Sequence, residues 1–137
     1  QLAEKSEVLM PRDPAGRAEP LQWLFAAPNS VEMVTVPWWF IGLKKPAENP
    51  LAGWMQQRFS RLEAVPKGRD WLADGRFTVA DIAMAEVLRL PGDLGALADH
   101  PALRAYLGRL CDRPAFVKAR QDQLDHFAAA DAARNKG

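Results

Sequence analysis

Residues 77–89, FTVADIAMAEVLR, decide how the chain folds, because they spell a helix start followed by an unbroken helix body. Thr78 supplies a side-chain oxygen for the unpaired N–H groups of a first turn. Asp81, three positions on, reaches back to the N–H of Thr78 and puts negative charge at the positive end of the helix. No second catalytic-looking group accompanies the pair, so it reads as architecture.

The flanking segments carry the same kind of signal. Before it, DPAGRAE opens a helix with Asp13 as cap and Pro14 at N1, where a missing N–H costs nothing. Ala18, Leu21, Leu24 and Phe25 form its expected buried stripe, with Trp23 on another face. Pro20 requires a late start or a kink, since proline lacks an N–H and crowds the preceding turn. Residues 31–43, VEMVTVPWWFIGL, either continue this helix past a bend or form a separate arm; the strand propensity of VTV and the nearby Pro37 leave that boundary open. KKPAENP, residues 44–50, is a connector. Pro50 then starts a helix in which Leu51, Met55, Phe59, Leu62 and Val65 recur at helical spacing, with Arg58 and Arg61 on the wetter side.

PKGRDWLADG leaves room for one helical turn at 69–73. Within the helix expected over 78–90, Val79, Ile82, Ala83, Val87 and Leu90 are the candidates for burial. Pro101 again suits N1, opening a helix over 101–112 with Leu103, Tyr106, Leu107 and Leu110 inward. A last helix is expected over about 115–129 through Phe116, Ala119, Leu124 and Phe127, followed by a fraying DAARNKG. Sustained polar/apolar alternation is absent, so the expected fold is all-α: one irregular helical bundle, residues 1–137, with no internal repeat.

Composition narrows the function classes. Of 137 residues, 48% are apolar and 26% charged, which suits one packed domain rather than a disordered segment. Eighteen basic and seventeen acidic residues are interspersed, so there is no basic footprint for nucleic acid. MVTVPWWFIGL, residues 33–43, is too short for a bilayer and reads as protein core. The single cysteine, Cys111, excludes an internal disulfide and fits a reducing, cytoplasmic compartment. The chain starts without Met, which suggests a chain that was processed, cut or supplied as a fragment.

Catalytic constellations are missing. His100, Cys111 and His126 match no zinc spacing and no i/i+4 ligand pair, so no metal site is expected. Cys111 ends a helix, where the dipole disfavours a thiolate. Tyr106 belongs to an apolar stripe and is expected to pack with its hydroxyl in water. Glu7, Asp13 and Glu19, like Asp122 and Asp125, are read as solvated surface carboxylates, and neither a GxxxxGK[ST] nor a GxGxxG phosphate motif is present. The aromatics carry more. Trp38, Trp39 and Phe40 beside Pro37, with Trp23, Phe25 and Met33 upstream, can line an apolar cleft or simply fill the core.

Taken in order, DPAGRAEPLQWLF, RFSRLEAV, DWLADGRFTVADI and HPALRAYLGRLCDRPAFVKA resemble the C-terminal helical domain of the cytosolic glutathione transferases over nearly the whole chain. Thr78 and Asp81 fall on that family's buried capping motif. The resemblance implies a partner domain of thioredoxin type, absent from this chain, that holds glutathione and activates its thiol. It also implies that the helices bind an apolar electrophile, that catalytic residues lie outside them, that the complete protein is a homodimer, and that glutathione is its cosubstrate. Phe25, Asn29, Met33, Trp38 and Trp39 are the expected hydrophobic-substrate residues; Thr78 and Asp81 are structural. The alternative is a non-catalytic helical protein-interaction or ligand-binding module.

Overall fold

The computed structural model describes residues 3–43 and 49–134. Within them the fold is all-α, and no strand is present among the described residues. The helices are α1 (Pro14–Ala26), α2 (Met33–Gly42), α3 (Ala52–Glu63), α4 (Val79–Asp93), α5 (Pro101–Cys111) and α6 (Pro114–Arg134). Residues 44–48 of the expected connector and 135–137 of the expected frayed end lie outside the described residues.

The first two helices form one continuous arm, joined by a π-helical turn over Ala27–Glu32. Pro28 lacks the N–H that an α-helix would place on the carbonyl four residues back, and the wider turn absorbs that loss. The Met33 N–H bonds to the carbonyl of Pro28, five residues back, and the Asn29 side-chain amide donates to the Phe25 carbonyl at 3.0 Å. The bent-helix alternative for residues 31–43 is therefore the one realised. The start of α1 is as expected: Asp13 Oδ1 accepts from the Gly16 N–H at 2.7 Å and Pro14 sits at N1. A late start does not occur, because α1 runs from Pro14 through a buried Pro20. Its face is rotated from expectation: Ala18 is exposed, Phe25 is 62% exposed, and Trp23 packs against the core instead.

The central helix is α4, which packs against α1, the π turn, α2 and α5. Its buried face is Ala80, Met84, Ala85, Leu88 and Pro91, together with Asp81. The expected set of Val79, Ile82, Ala83, Val87 and Leu90 is out of phase by one or two positions: Ile82 is exposed and the other four are half-buried. The ion-paired Glu86, Arg89 and Asp93 recur at helical spacing and mark the polar face of this helix, opposite the buried one; the expected set was centred about one position away from that opposite face. Met55, Phe59 and Leu62 from α3 and Leu103, Tyr106 and Leu110 from α5 complete the core, as their spacing predicted. On α3, Arg58 is only half-buried and places its guanidinium over the ring of Trp54.

No helical turn forms at 69–73. The Leu72 N–H is bonded to the Asp81 carboxylate at 3.0 Å, and Ala73 pairs with Arg76 across a reversal in which Asp74 and Gly75 have φ of 55° and 60°. Two successive left-handed residues make a tight primed turn, which is incompatible with helix. The last helix runs past its expected end to Arg134 and buries nothing fully: Phe116 is half-buried, but Ala119, Leu124 and Phe127 are exposed. Among the described residues, no helix is long and apolar enough to cross a membrane.

Candidate functional site

Two constructions stand out: the outward face of the α1–α2 arm, and the polar node beneath the start of α4. On the arm, Phe25, Asn29 and Met33 follow one another at four-residue spacing and point away from the core. Phe25 and Met33 are 62% and 47% exposed, and the apolar surface continues through Phe40, Ile41 and Leu43. Asn29 is exposed, with its amide donating back to the Phe25 carbonyl at the end of α1. Trp38 lies half-buried against the core, and its carbonyl accepts from the Asn49 amide at 2.7 Å, which ties the arm to α3. Trp39 stacks obliquely on Phe40 with centroids 4.8 Å apart. The arm thus brings Phe25, Asn29 and Met33 onto one face and turns Trp38 toward another. Phe40, Ile41 and Leu43 were not among the expected site residues, although their positions in the same apolar run were the available signal.

The node is a buried carboxylate held entirely by donors. Asp81 is 0% exposed. Its Oδ2 accepts the Thr78 N–H at 2.8 Å and the Thr78 hydroxyl at 3.2 Å, while Oδ1 accepts the Leu72 N–H at 3.0 Å and the Tyr106 hydroxyl at 2.8 Å. The remaining first-turn donors are also satisfied: the Ala80 N–H by Thr78 Oγ1 at 3.3 Å, and the Val79 N–H by the Leu9 carbonyl at 3.0 Å. Helix N-termini leave such groups orphaned unless something reaches them, and here the cap, the preceding turn, α5 and the N-terminal segment all converge.

The hydroxyl of Tyr106 is therefore buried on Asp81 and not in water as expected. Burial, reinforced by the adjacent carboxylate, raises its pKa well above the ordinary phenol value and makes it a weaker acid. A second buried carboxylate, Glu63 of α3, accepts the Ala102 and Leu103 N–H groups, each at 2.9 Å, and so caps α5 from another helix. Nothing in the sequence marks that pairing, since its partners lie 39 and 40 residues away.

The residues tested as a metal set lie apart in their bonding. His100 is buried, with Nε2 2.7 Å from Gln56 Oε1 and its ring edge-on to Phe59. Because the amide of Gln56 donates to the Ala96 carbonyl, its Oε1 takes the His100 Nε2–H. Cys111 is half-buried, and burial raises its thiol pKa above the ordinary value. His126 is exposed on α6. Beside the node, Leu9, Phe77, Ile82, Leu110, Arg113 and Phe116 frame a largely apolar cleft of about 350 Å³. There the Arg113 guanidinium stacks 3.7 Å from the Phe77 ring centre, a cation–π contact.

Residues 43–114 match the family model described as "Glutathione S-transferase, C-terminal domain". No curated protein matches the sequence significantly. Among solved structures, Ure2p5 from Phanerochaete chrysosporium, cocrystallised with 1-(S-glutathionyl)-2,4-dinitrobenzene, superposes with a TM-score of 0.78 at 20% identity, over 93% of this chain and 66% of that one. A sphingomonad glutathione S-transferase complexed with glutathione gives 0.74 at 27% identity, over 87% and 60%. A glutathione transferase from Burkholderia graminis, with two glutathione molecules bound per subunit, gives 0.72 at 28%, over 85% and 54%. The chain therefore spans between about half and two thirds of the length of these three structures.

Proposed function

Because the chain belongs to the glutathione S-transferase C-terminal domain family, we propose that it is the hydrophobic-substrate-binding part of a protein that joins glutathione to apolar electrophiles. The supporting observation is the arm. Phe25 and Met33 present an aromatic ring and a thioether on one outward face of a continuous helix, where they cover no core residue and are available to an apolar ligand. We assign substrate contact to Phe25 and Met33 first, to Trp38 and Trp39 next, and to Asn29 through its position between Phe25 and Met33 on the same face.

The reaction is attack of the glutathione thiolate on an electrophilic carbon: a sulfur–carbon bond forms, the leaving group or π electrons take up the displaced pair, and the thiol proton passes to a base. A domain of thioredoxin type outside this chain would hold glutathione and supply that base. The helices would hold the electrophile against the sulfur, converting a bimolecular encounter into an oriented one. Thr78 and Asp81 act on stability alone. The complete protein is proposed to be a cytoplasmic homodimer.

The test begins with the intact mass of the native protein, isolated with proteolysis suppressed, against the 15.2 kDa of this chain. A larger mass, with conjugation of a 1-halo-2,4-dinitrobenzene that loses affinity for the electrophile but not for glutathione in Phe25→Ala and Met33→Ala, supports the reading. A native mass of 15.2 kDa with no conjugation refutes it and favours the helical binding module.

A further inference from the structure

Phe116, near the start of α6, packs against the core, and from Val117 to Arg134 every residue of that helix is exposed. Val117, Leu124 and Phe127 are left 55%, 52% and 55% exposed. These apolar residues are not scattered. Val117, Arg120, Leu124, Phe127, Asp131 and Arg134 recur at alternating three- and four-residue spacings, which places them on one stripe about 25 Å long, the seam of a two-helix pair. The positions beside the stripe, Gln121, Gln123, Ala128 and Ala130, carry no charge and half of them are small. Lys118 and Asp122, ion-paired at 2.5 Å, lie on the opposite side of the helix with Asp125 and His126.

The order of residues along the stripe selects the partner. Leu124 and Phe127 are equally far from a point between Asp125 and His126; so are Arg120 and Asp131, and so are Val117 and Arg134. An identical helix running antiparallel about a two-fold axis at that point sets Leu124 against the partner's Phe127 and Arg120 against the partner's Asp131, twice each. Val117 then lies under the aliphatic stem of the partner's Arg134. A parallel pair would instead set Arg120 against itself and Asp131 against itself. Within one chain Arg120 is 3.4 Å from Asp93, and Asp131 pairs with Arg134. All four side chains are well exposed, so these pairs are weak, and each end of the antiparallel seam gathers two positive and two negative groups. We propose that α6 is a self-association surface, which pairs antiparallel with α6 of a second copy of this chain. The inference does not rest on the substrate reading, because α6 shares no residue with the α1–α2 arm.

Sedimentation equilibrium of the 137-residue chain tests it. A reversible monomer–dimer equilibrium is expected, the dimer having twice the 15.2 kDa of the chain. It should be half complete at a concentration between about 1 and 300 µM, the range of a modest interface. Leu124→Glu and Phe127→Glu alter exposed side chains, so the melting temperature of the dilute monomer should be kept while dimerisation weakens by about 100-fold. Arg120→Glu and Asp131→Arg should each weaken it about tenfold at low salt, because a like-charged pair then forms on both sides of the axis. Together they restore opposite charges, and the double variant should return to within about threefold of wild type. Asp131→Arg cannot restore the contact of residue 120 with Asp93, so this recovery reports pairing between copies. A monomer at every concentration, the result if another segment of a longer protein covers the seam, would overturn the proposal. So would a dimer indifferent to Leu124→Glu, or a double variant no tighter than the two single ones.

Discussion

Replacing Asp81 by Ala is the sharpest test of how the fold is held. The substitution removes the acceptor of the Thr78 N–H, the Leu72 N–H, and the Thr78 and Tyr106 hydroxyls, in a place with no exposed surface. The Thr78 hydroxyl can rotate, which leaves three buried donors without partners. Each stranded donor costs about 1–3 kcal/mol. The sum does not simply add, because the freed space admits some relaxation, and we expect a loss of about 4 kcal/mol. For a domain whose total stability is on the order of 5–15 kcal/mol that is a large fraction, and it corresponds to a fall of roughly 15 °C in melting temperature. Urea unfolding followed in parallel by tryptophan fluorescence and far-ultraviolet circular dichroism measures it. Asp81→Asn keeps the volume and one acceptor and should lose about half as much, giving a folded variant if Asp81→Ala does not fold. Thr78→Ala, which removes the cap oxygen alone, should cost about 1–2 kcal/mol. A midpoint for Asp81→Ala within about 0.5 kcal/mol of wild type, the size of an ordinary surface change, would refute the reasoning.

Three further outcomes follow from the same geometry. Tyr106, the only tyrosine, has its ionisation raised by burial, so the unfolded chain ionises first as pH climbs past about 10; the stabilising difference between wild type and Tyr106→Phe is complete below that pH and should shrink above it by about 1.4 kcal/mol per pH unit, measured by denaturant midpoints from pH 8 to 11. Glu63→Ala should cost about 2–3 kcal/mol by exposing two donors at the start of α5, and Glu63→Gln, which retains one acceptor, about half that; equal midpoints for the two variants would mean that the cap is not what Glu63 contributes. Gly75→Ala places a Cβ in open space but at a φ of 60°, so about 1 kcal/mol of thermal stability should be lost through backbone conformation alone, while Gly53→Ala, an exposed helical position with equal space, should gain a similar amount.

What could be read along the chain was whatever is settled within one or two turns of helix. The caps at Asp13 and Thr78, proline at the first position of α1 and α5, and the inward stripes of α3 and α5 all depend on residues three to seven apart, so local spacing reports them directly. The family resemblance was legible for the same reason, since its motifs are local. The face of the arm was only half legible: the aromatic run was visible, but only the packing of the arm against the core decides that Trp23 lies inward while Phe25 and Met33 face out. The phase of α4 was legible in the stripe of Glu86, Arg89 and Asp93 but was read from the apolar residues alone, which surround most of the helix, and α6 failed because helical spacing does not say whether another element arrives to cover it.

Other features belong to the tertiary structure alone. Leu72 gives up helix to bond Asp81, Tyr106 brings its hydroxyl to the same carboxylate from 25 residues away, and Glu63 caps a helix it does not belong to. The sequence by itself determined the helices, most of their starts and the family. Only packing decided which polar groups would be buried together, because a buried donor must find an acceptor in space and nothing along the chain says which element will supply it.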